Sequence, residues 1–129
     1  MEMEVEMENG VVPACAQQNC ATGVAGIRDA LYVLSGKWKL PLIFALSMGP
    51  MRFKDIQRAL GDVTPKVLTK ELRELELNEF LIRNVLPSSP VIVTYKLTPY
   101  SLTLYKVVQE LKDWGIQHRQ RLVAHRKGV

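Results

Sequence analysis

The sequence predicts a mostly α-helical domain carrying one small β-hairpin, and three observations lead there. From Gly26 onward apolar residues recur at helical spacing, interrupted by Gly and Pro where helix ends would fall. Only the stretch 81–98 changes character, becoming rich in β-branched and aromatic residues on either side of Pro87-Ser88-Ser89-Pro90. A chain of 129 residues with 47% hydrophobic and 23% charged residues has an ordinary globular balance, which excludes general disorder and suits one domain with one core.

Residues 1–22 read as a flexible tail rich in Glu and Met: MEMEVEMENG alternates acidic and apolar residues, and Pro13, Gln17, Gln18 and Asn19 follow without a sustained apolar face. The domain is placed at 23–129. Ile27, Ala30, Leu31 and Leu34 form the stripe of a first helix, stopped by Ser35-Gly36. KWKLPLIFALSM is a second, more apolar helix. Its Pro41 falls in or near the first turn, where a missing amide hydrogen does least harm, and Gly49-Pro50 ends it. Met51-Arg52 reads as a short connection. FKDIQRAL (53–60) makes a third helix, packed through Phe53, Ile56 and Leu60, and Gly61-Asp62-Val63 a tight turn. Thr64 then caps a fourth helix with Pro65 at its first position, running to about Glu79. LIRNVLP (81–87) and VIVTYKLT (91–98) pair as a hairpin with the two prolines at its tip. Thr98-Pro99 repeats the earlier Thr-Pro start and opens a last helix reaching about His125, longer than a domain of this size needs to cover itself.

Helix, helix, helix, tight turn, helix, hairpin, long helix is the order of a winged helix-turn-helix. On the fourth helix, advancing about 100° per residue, Lys66, Lys70 and Arg73 share one stripe and Leu68, Leu72 and Leu75 the opposite one. Such a helix packs its back on a core and can offer its front to a major groove, with Thr64 and Thr69 at its amino end and flank. Arg52, Lys54 and Arg58 belong to the preceding helix and its approach, which in this architecture crosses the DNA backbone, while Arg83 and Lys96, weaker candidates for the same face, lie on the hairpin strands. Ser88 and Ser89 at the hairpin tip are candidate phosphate donors, against the plainer reading of turn chemistry. Taken alone, the positive stripe is equally the solvated face of any amphipathic helix, since Glu71, Glu74, Glu76 and Glu79 flank it. Its place between a tight turn and a hairpin favours DNA. Charge agrees: the net +4 becomes +8 once the four glutamates of the first ten residues are set aside, leaving 17 basic against 9 acidic.

The segments IRDALYVLSGKWKLPLIFAL, GPMRFKDIQRAL, TPKVLTKELRELELNEFLIRNVLP and YKLTPYSLTL together resemble the HxlR-type transcription regulators, winged-helix proteins related in architecture to the MarR group. The resemblance covers essentially everything after the tail. It implies a homodimer held by terminal helices and presenting two recognition helices to an inverted-repeat operator in double-stranded DNA. The DNA-facing positions it implies are Thr64, Lys66, Val67, Thr69, Lys70 and Arg73, with Arg52 and the hairpin tip nearby. The long last helix agrees independently, because Leu104, Val108, Leu111, Gly115 and Leu122 form an apolar seam that Tyr105, Val107 and Trp114 widen. Several family members sense oxidants through a cysteine just before the first helix; here that position is Ala25, followed by Gly26.

Cys15 and Cys20 stand open between a redox switch and incidental thiols. A metal site is not expected, since C-x4-C exceeds the commonest zinc spacing and His118 and His125 lie two helical turns apart. The chain carries no phosphate-binding glycine loop, GxSxG elbow or HExxH, so neither an enzyme nor a cofactor is expected. The run LPLIFALSM is far too short to span a bilayer and the amino terminus lacks the basic and apolar regions of a signal peptide, which makes a cytoplasmic protein the expectation. The alternative is a winged helix that binds a protein, a small-molecule effector or an oxidant without strong DNA affinity.

Overall fold

A computed structural model describes residues 17–128. Among the described residues, five helices and three strands follow in the order α1 (Gln17–Leu34), α2 (Lys39–Leu46), β1 (Met51–Arg52), α3 (Phe53–Leu60), α4 (Pro65–Leu77), β2 (Leu81–Leu86), β3 (Ile92–Leu97) and α5 (Tyr105–Gly128), with a 3₁₀ turn over Pro99–Leu104 ahead of α5. Compact packing divides the chain after Ser35: α1 lies in the first unit, and Gly36 opens the second, which holds every other element described. The first helix also begins earlier than its apolar stripe, taking in Gln17 to Thr22. No proline or β-branched residue interrupts Gln17–Ala21, so helix can extend there without an apolar face to announce it. The rest of the expected tail, with Cys15, lies outside the described residues. No helix among the described residues is long and apolar enough to cross a membrane.

The core of the second unit is built from one stripe of each helix. Leu42 and Leu46 of α2, Ile56 of α3 and Leu68, Leu72 and Leu75 of α4 are buried together with Val63, Phe80, Leu81 and Val108. α3 and α4 are joined by a turn in which Gly61 takes a φ of 92°, a conformation that favours glycine. Thr64 caps α4 as expected, its Oγ1 accepting from the Val67 amide at 3.2 Å, with Pro65 beginning the helix.

The far end of α4 is closed by a Schellman arrangement. Glu79, in the left-handed region at φ 66°, donates its amide to the Glu76 carbonyl at 3.0 Å, and Phe80 donates to the Leu75 carbonyl at 2.9 Å. Phe80 then turns inward, 5% exposed, and stacks on Tyr100 with ring centroids 5.4 Å apart. The same corner anchors the start of the last segment. Thr98 Oγ1 donates to the Glu79 carbonyl at 2.7 Å and the buried Ser101 hydroxyl donates to the Phe80 carbonyl. Thr98-Pro99 therefore opens the 3₁₀ turn and not the long helix directly, because in that tighter turn both hydroxyls reach the α4 corner.

β2 and β3 form the expected hairpin, antiparallel from Leu81↔Leu97 to Leu86↔Ile92. Met51-Arg52 is a third strand and not a bare connection: it pairs with β3 through Met51↔Tyr95 and Arg52↔Thr94, giving a sheet in the order β1-β3-β2. The wing is thus tied to the start of α3 by backbone hydrogen bonds.

Candidate DNA-binding face

α4 divides into the two faces that its spacing implies. Leu68, Leu72 and Leu75 are no more than 3% exposed, while Lys66, Thr69, Lys70 and Arg73 all face solvent and Val67 is half-buried beside them. Their availability differs. Lys66 and Arg73 have no ion pair among the described residues, whereas Lys70 Nζ lies 3.1 Å from Glu74 Oε2. Thr69 gives its hydroxyl proton to the Pro65 carbonyl at 2.8 Å, so toward a ligand it can accept a hydrogen bond or present its methyl group, but not donate. The Thr64 hydroxyl oxygen is taken up in capping and keeps its proton for an outside acceptor.

Arg52 and Lys54 are exposed where β1 passes into α3. Arg58, one turn further on, is exposed and pairs with Asp55 at 3.1 Å. At the wing tip Ser88 is engaged in turn chemistry: its amide donates to the Leu86 carbonyl at 2.8 Å and its hydroxyl to the Pro90 carbonyl at 2.7 Å. Ser89 is exposed beside a cis Ser89–Pro90 peptide.

Sequence reasoning missed the charges behind the helix. Lys39, on the buried face of α2 with Leu42, Ile43 and Leu46, reaches Glu71 Oε1 at 2.6 Å and Glu74 Oε1 at 2.7 Å. Burial lowers the Lys39 pKa, but the hydrogen bonds it donates to Glu71 and Glu74, with the negative charges of those carboxylates, outweigh burial and hold the group above its ordinary value. Hydrogen bonds from Lys39 and then Lys70 hold the Glu74 carboxyl below its ordinary value. Glu71 lies on the leucine stripe and Lys39 on the most apolar helix of the chain. A charge in each buried register was the available signal that the two would meet.

Of the five seam positions on the last segment, Val108 is buried within the chain, where it lines an apolar cavity of about 290 Å³ between α2, β3 and α5. Leu104 is half-buried, and Leu111, Gly115 and Leu122 are exposed. Cys20 is exposed on α1. His118 stacks on Trp114 at 4.7 Å, and no group of three His, Cys, Asp or Glu side chains among the described residues is placed to hold a metal.

Two consecutive helices across a tight turn, the second basic on its outer face and followed by a sheet wing, define a winged helix-turn-helix. Within that class the chain belongs to the HxlR-like helix-turn-helix family, whose model matches residues 33–122. It is 38% identical over 91 residues to the HTH-type transcriptional regulator YodB of Bacillus subtilis, covering 70% of this chain and 81% of that one. It is 37% identical over 90 residues to the HTH-type regulator BH0655 of Halalkalibacterium halodurans, covering 69% and 80%. Among solved structures, the redox regulator HypR in its reduced form superposes with a TM-score of 0.72 at 34% identity, covering 77% of this chain and 98% of that one. The chain is accordingly a helix-turn-helix transcriptional regulator, not an enzyme.

Proposed function

We propose that this regulator acts in the cytoplasm as a homodimer, setting two copies of α4 into the major groove of an inverted-repeat operator. The observation that carries the reading is the pairing of an exposed Lys66, Lys70 and Arg73 stripe with a fully buried leucine stripe on a helix fixed at both ends. Lysine supplies phosphate attraction, and an arginine at this position can also read guanine through two parallel hydrogen bonds. Lys70 exchanges its Glu74 partner for phosphate on binding, so its contribution is smaller than that of an unpaired lysine. Arg52 and Lys54 support contacts to the flanking backbone, while the engaged Ser88 hydroxyl supports none.

The test is footprinting on the promoters of its own gene and its neighbours across a salt series. A two-fold symmetric protected site, with half-sites about one helical turn apart and affinity falling steeply with salt, is expected. A folded Lys70→Ala, Arg73→Ala double variant should lose at least about ten-fold in operator affinity, near 1.4 kcal/mol. Unchanged affinity in that variant removes α4 from the groove.

A further inference from the structure

Beside the basic stripe, α4 and the wing enclose a cleft of about 380 Å³ lined by Thr69, Leu72, Arg73, Glu76, Arg83 and Tyr95. Its construction follows from two periodicities. Thr69, Leu72, Arg73 and Glu76 recur three or four apart on one edge of the helix. Leu81 is buried against the core, so Arg83, two residues along β2, stands on the same sheet face, directly across the ladder from Tyr95. Two guanidinium groups therefore line one cleft, and among the described residues neither has a carboxylate within ion-pair distance. Leu72 forms its apolar floor.

We infer that this cleft, with Arg73, Arg83 and the Tyr95 hydroxyl as donors, seats one phosphodiester group of the DNA backbone in each half-site. The inference rests on the DNA-binding reading above and adds to it a site on the wing side of the helix. Guanidinium forks match phosphate oxygens bidentately. Two positive charges against the single negative charge of Glu76 leave one positive, which balances the monoanion of a phosphodiester and undercompensates the dianion of a terminal phosphate. Location agrees as well. Arg73 belongs both to the cleft and to the outward stripe, so the cleft opens at the edge of the face that enters the groove, where the walls of a major groove are phosphates. Thr69 contributes shape only, its proton being held by the Pro65 carbonyl.

The measurement is operator and random-duplex affinity of the full chain across a salt series, for wild type, Arg83→Gln, Arg83→Lys and Glu76→Gln, with phosphate-ethylation interference on the operator. Arg83→Gln should weaken both duplexes by the same factor. It should also lower the slope of log affinity against log salt by about 0.9 per cleft engaged, and abolish interference at one phosphate in each half-site. Arg83→Lys should keep the slope, and Glu76→Gln, by raising the local charge, should tighten both duplexes. Unchanged slope and interference in Arg83→Gln, while Lys66→Ala, Lys70→Ala, which leaves the cleft intact, still loses operator affinity, overturns the cleft and leaves the DNA reading standing. If wild type binds no duplex, the DNA reading itself has failed. Titration of inorganic phosphate into the free protein separates the two sources of the group: saturation by free phosphate without any change in the DNA slope of Arg83→Gln overturns the backbone assignment.

Discussion

An ammonium group on the apolar face of α2 keeps its charge because two carboxylates of α4 meet it: Lys39 is 6% exposed, with Glu71 and Glu74 at 2.6 and 2.7 Å. The cluster fastens the back of α4 to α2. Lys39→Met should cost about 3 to 5 kcal/mol, because Glu71 is left buried without a counter-charge. The double variant Lys39→Met, Glu71→Leu should recover part of that loss, since replacing both charges leaves nothing unpaired there. Urea midpoints check both, and a Lys39→Met protein as stable as wild type would refute the clamp. The pH dependence has a definite sign. Glu74 is depressed below 4.5, so its contribution is present above that pH and lost as pH falls through the lower folded value. Lys39 is raised above 10.5, so its contribution is present below that pH and lost as pH rises through the folded value. The stability gap between wild type and Lys39→Met should therefore be widest between those limits and narrow in acid.

At the scale of the element, α4 owes its position to its two ends. Thr64 and Pro65 fix where it begins, and the Schellman corner at Glu79 fixes where β2 departs. Glu79 is the one described non-glycine residue with positive φ, and it carries a Cβ into a region that L residues avoid. Glu79→Gly should stabilise the fold by about 0.5 to 1 kcal/mol, the strain relieved less the added chain entropy of glycine. A thermal midpoint that fails to rise would show the corner to be unstrained. This end of α4 also marks the limit of what the sequence discloses. Helices α2 to α4 and the hairpin are legible because periodicity and Gly or Pro punctuation agree on them. The third strand is not, because Met51-Arg52 is too short to have a period and becomes a strand only through pairing with Thr94 and Tyr95. The 3₁₀ turn is hidden for a related reason: Thr98 and Ser101 bond to carbonyls of Glu79 and Phe80, far away in sequence. The outward stripe Lys66, Lys70 and Arg73 could be read from spacing alone. The Arg73 and Arg83 cleft could not, since it depends on which strand face meets the helix.

At the scale of the whole molecule, α5 carries more apolar surface than the chain itself covers. Its 24 residues extend about 36 Å, yet Val108 is its only residue buried in the core among those described. Leu111, Trp114, Ile116, Leu122 and Val123 are all more than 40% exposed. The seam proposed for self-association thus separates into two parts with different energetics. Val108 is already buried in the single chain, and Val108→Ala should destabilise that chain by opening a cavity. Leu111 and Leu122 are exposed in the single chain, so their burial would be a gain of dimerisation, and a charge placed there should cost the dimer and not the fold. A Leu111→Glu, Leu122→Glu variant should sediment as a monomer with an unchanged helical circular dichroism spectrum. Its operator affinity should fall at least ten-fold, about 1.4 kcal/mol, because one half-site contact cannot assist the other once the two copies of α4 are uncoupled. A variant that remains dimeric and binds normally would move the interface away from α5. A monomeric variant that keeps full operator affinity would instead show that a single α4 is sufficient for recognition.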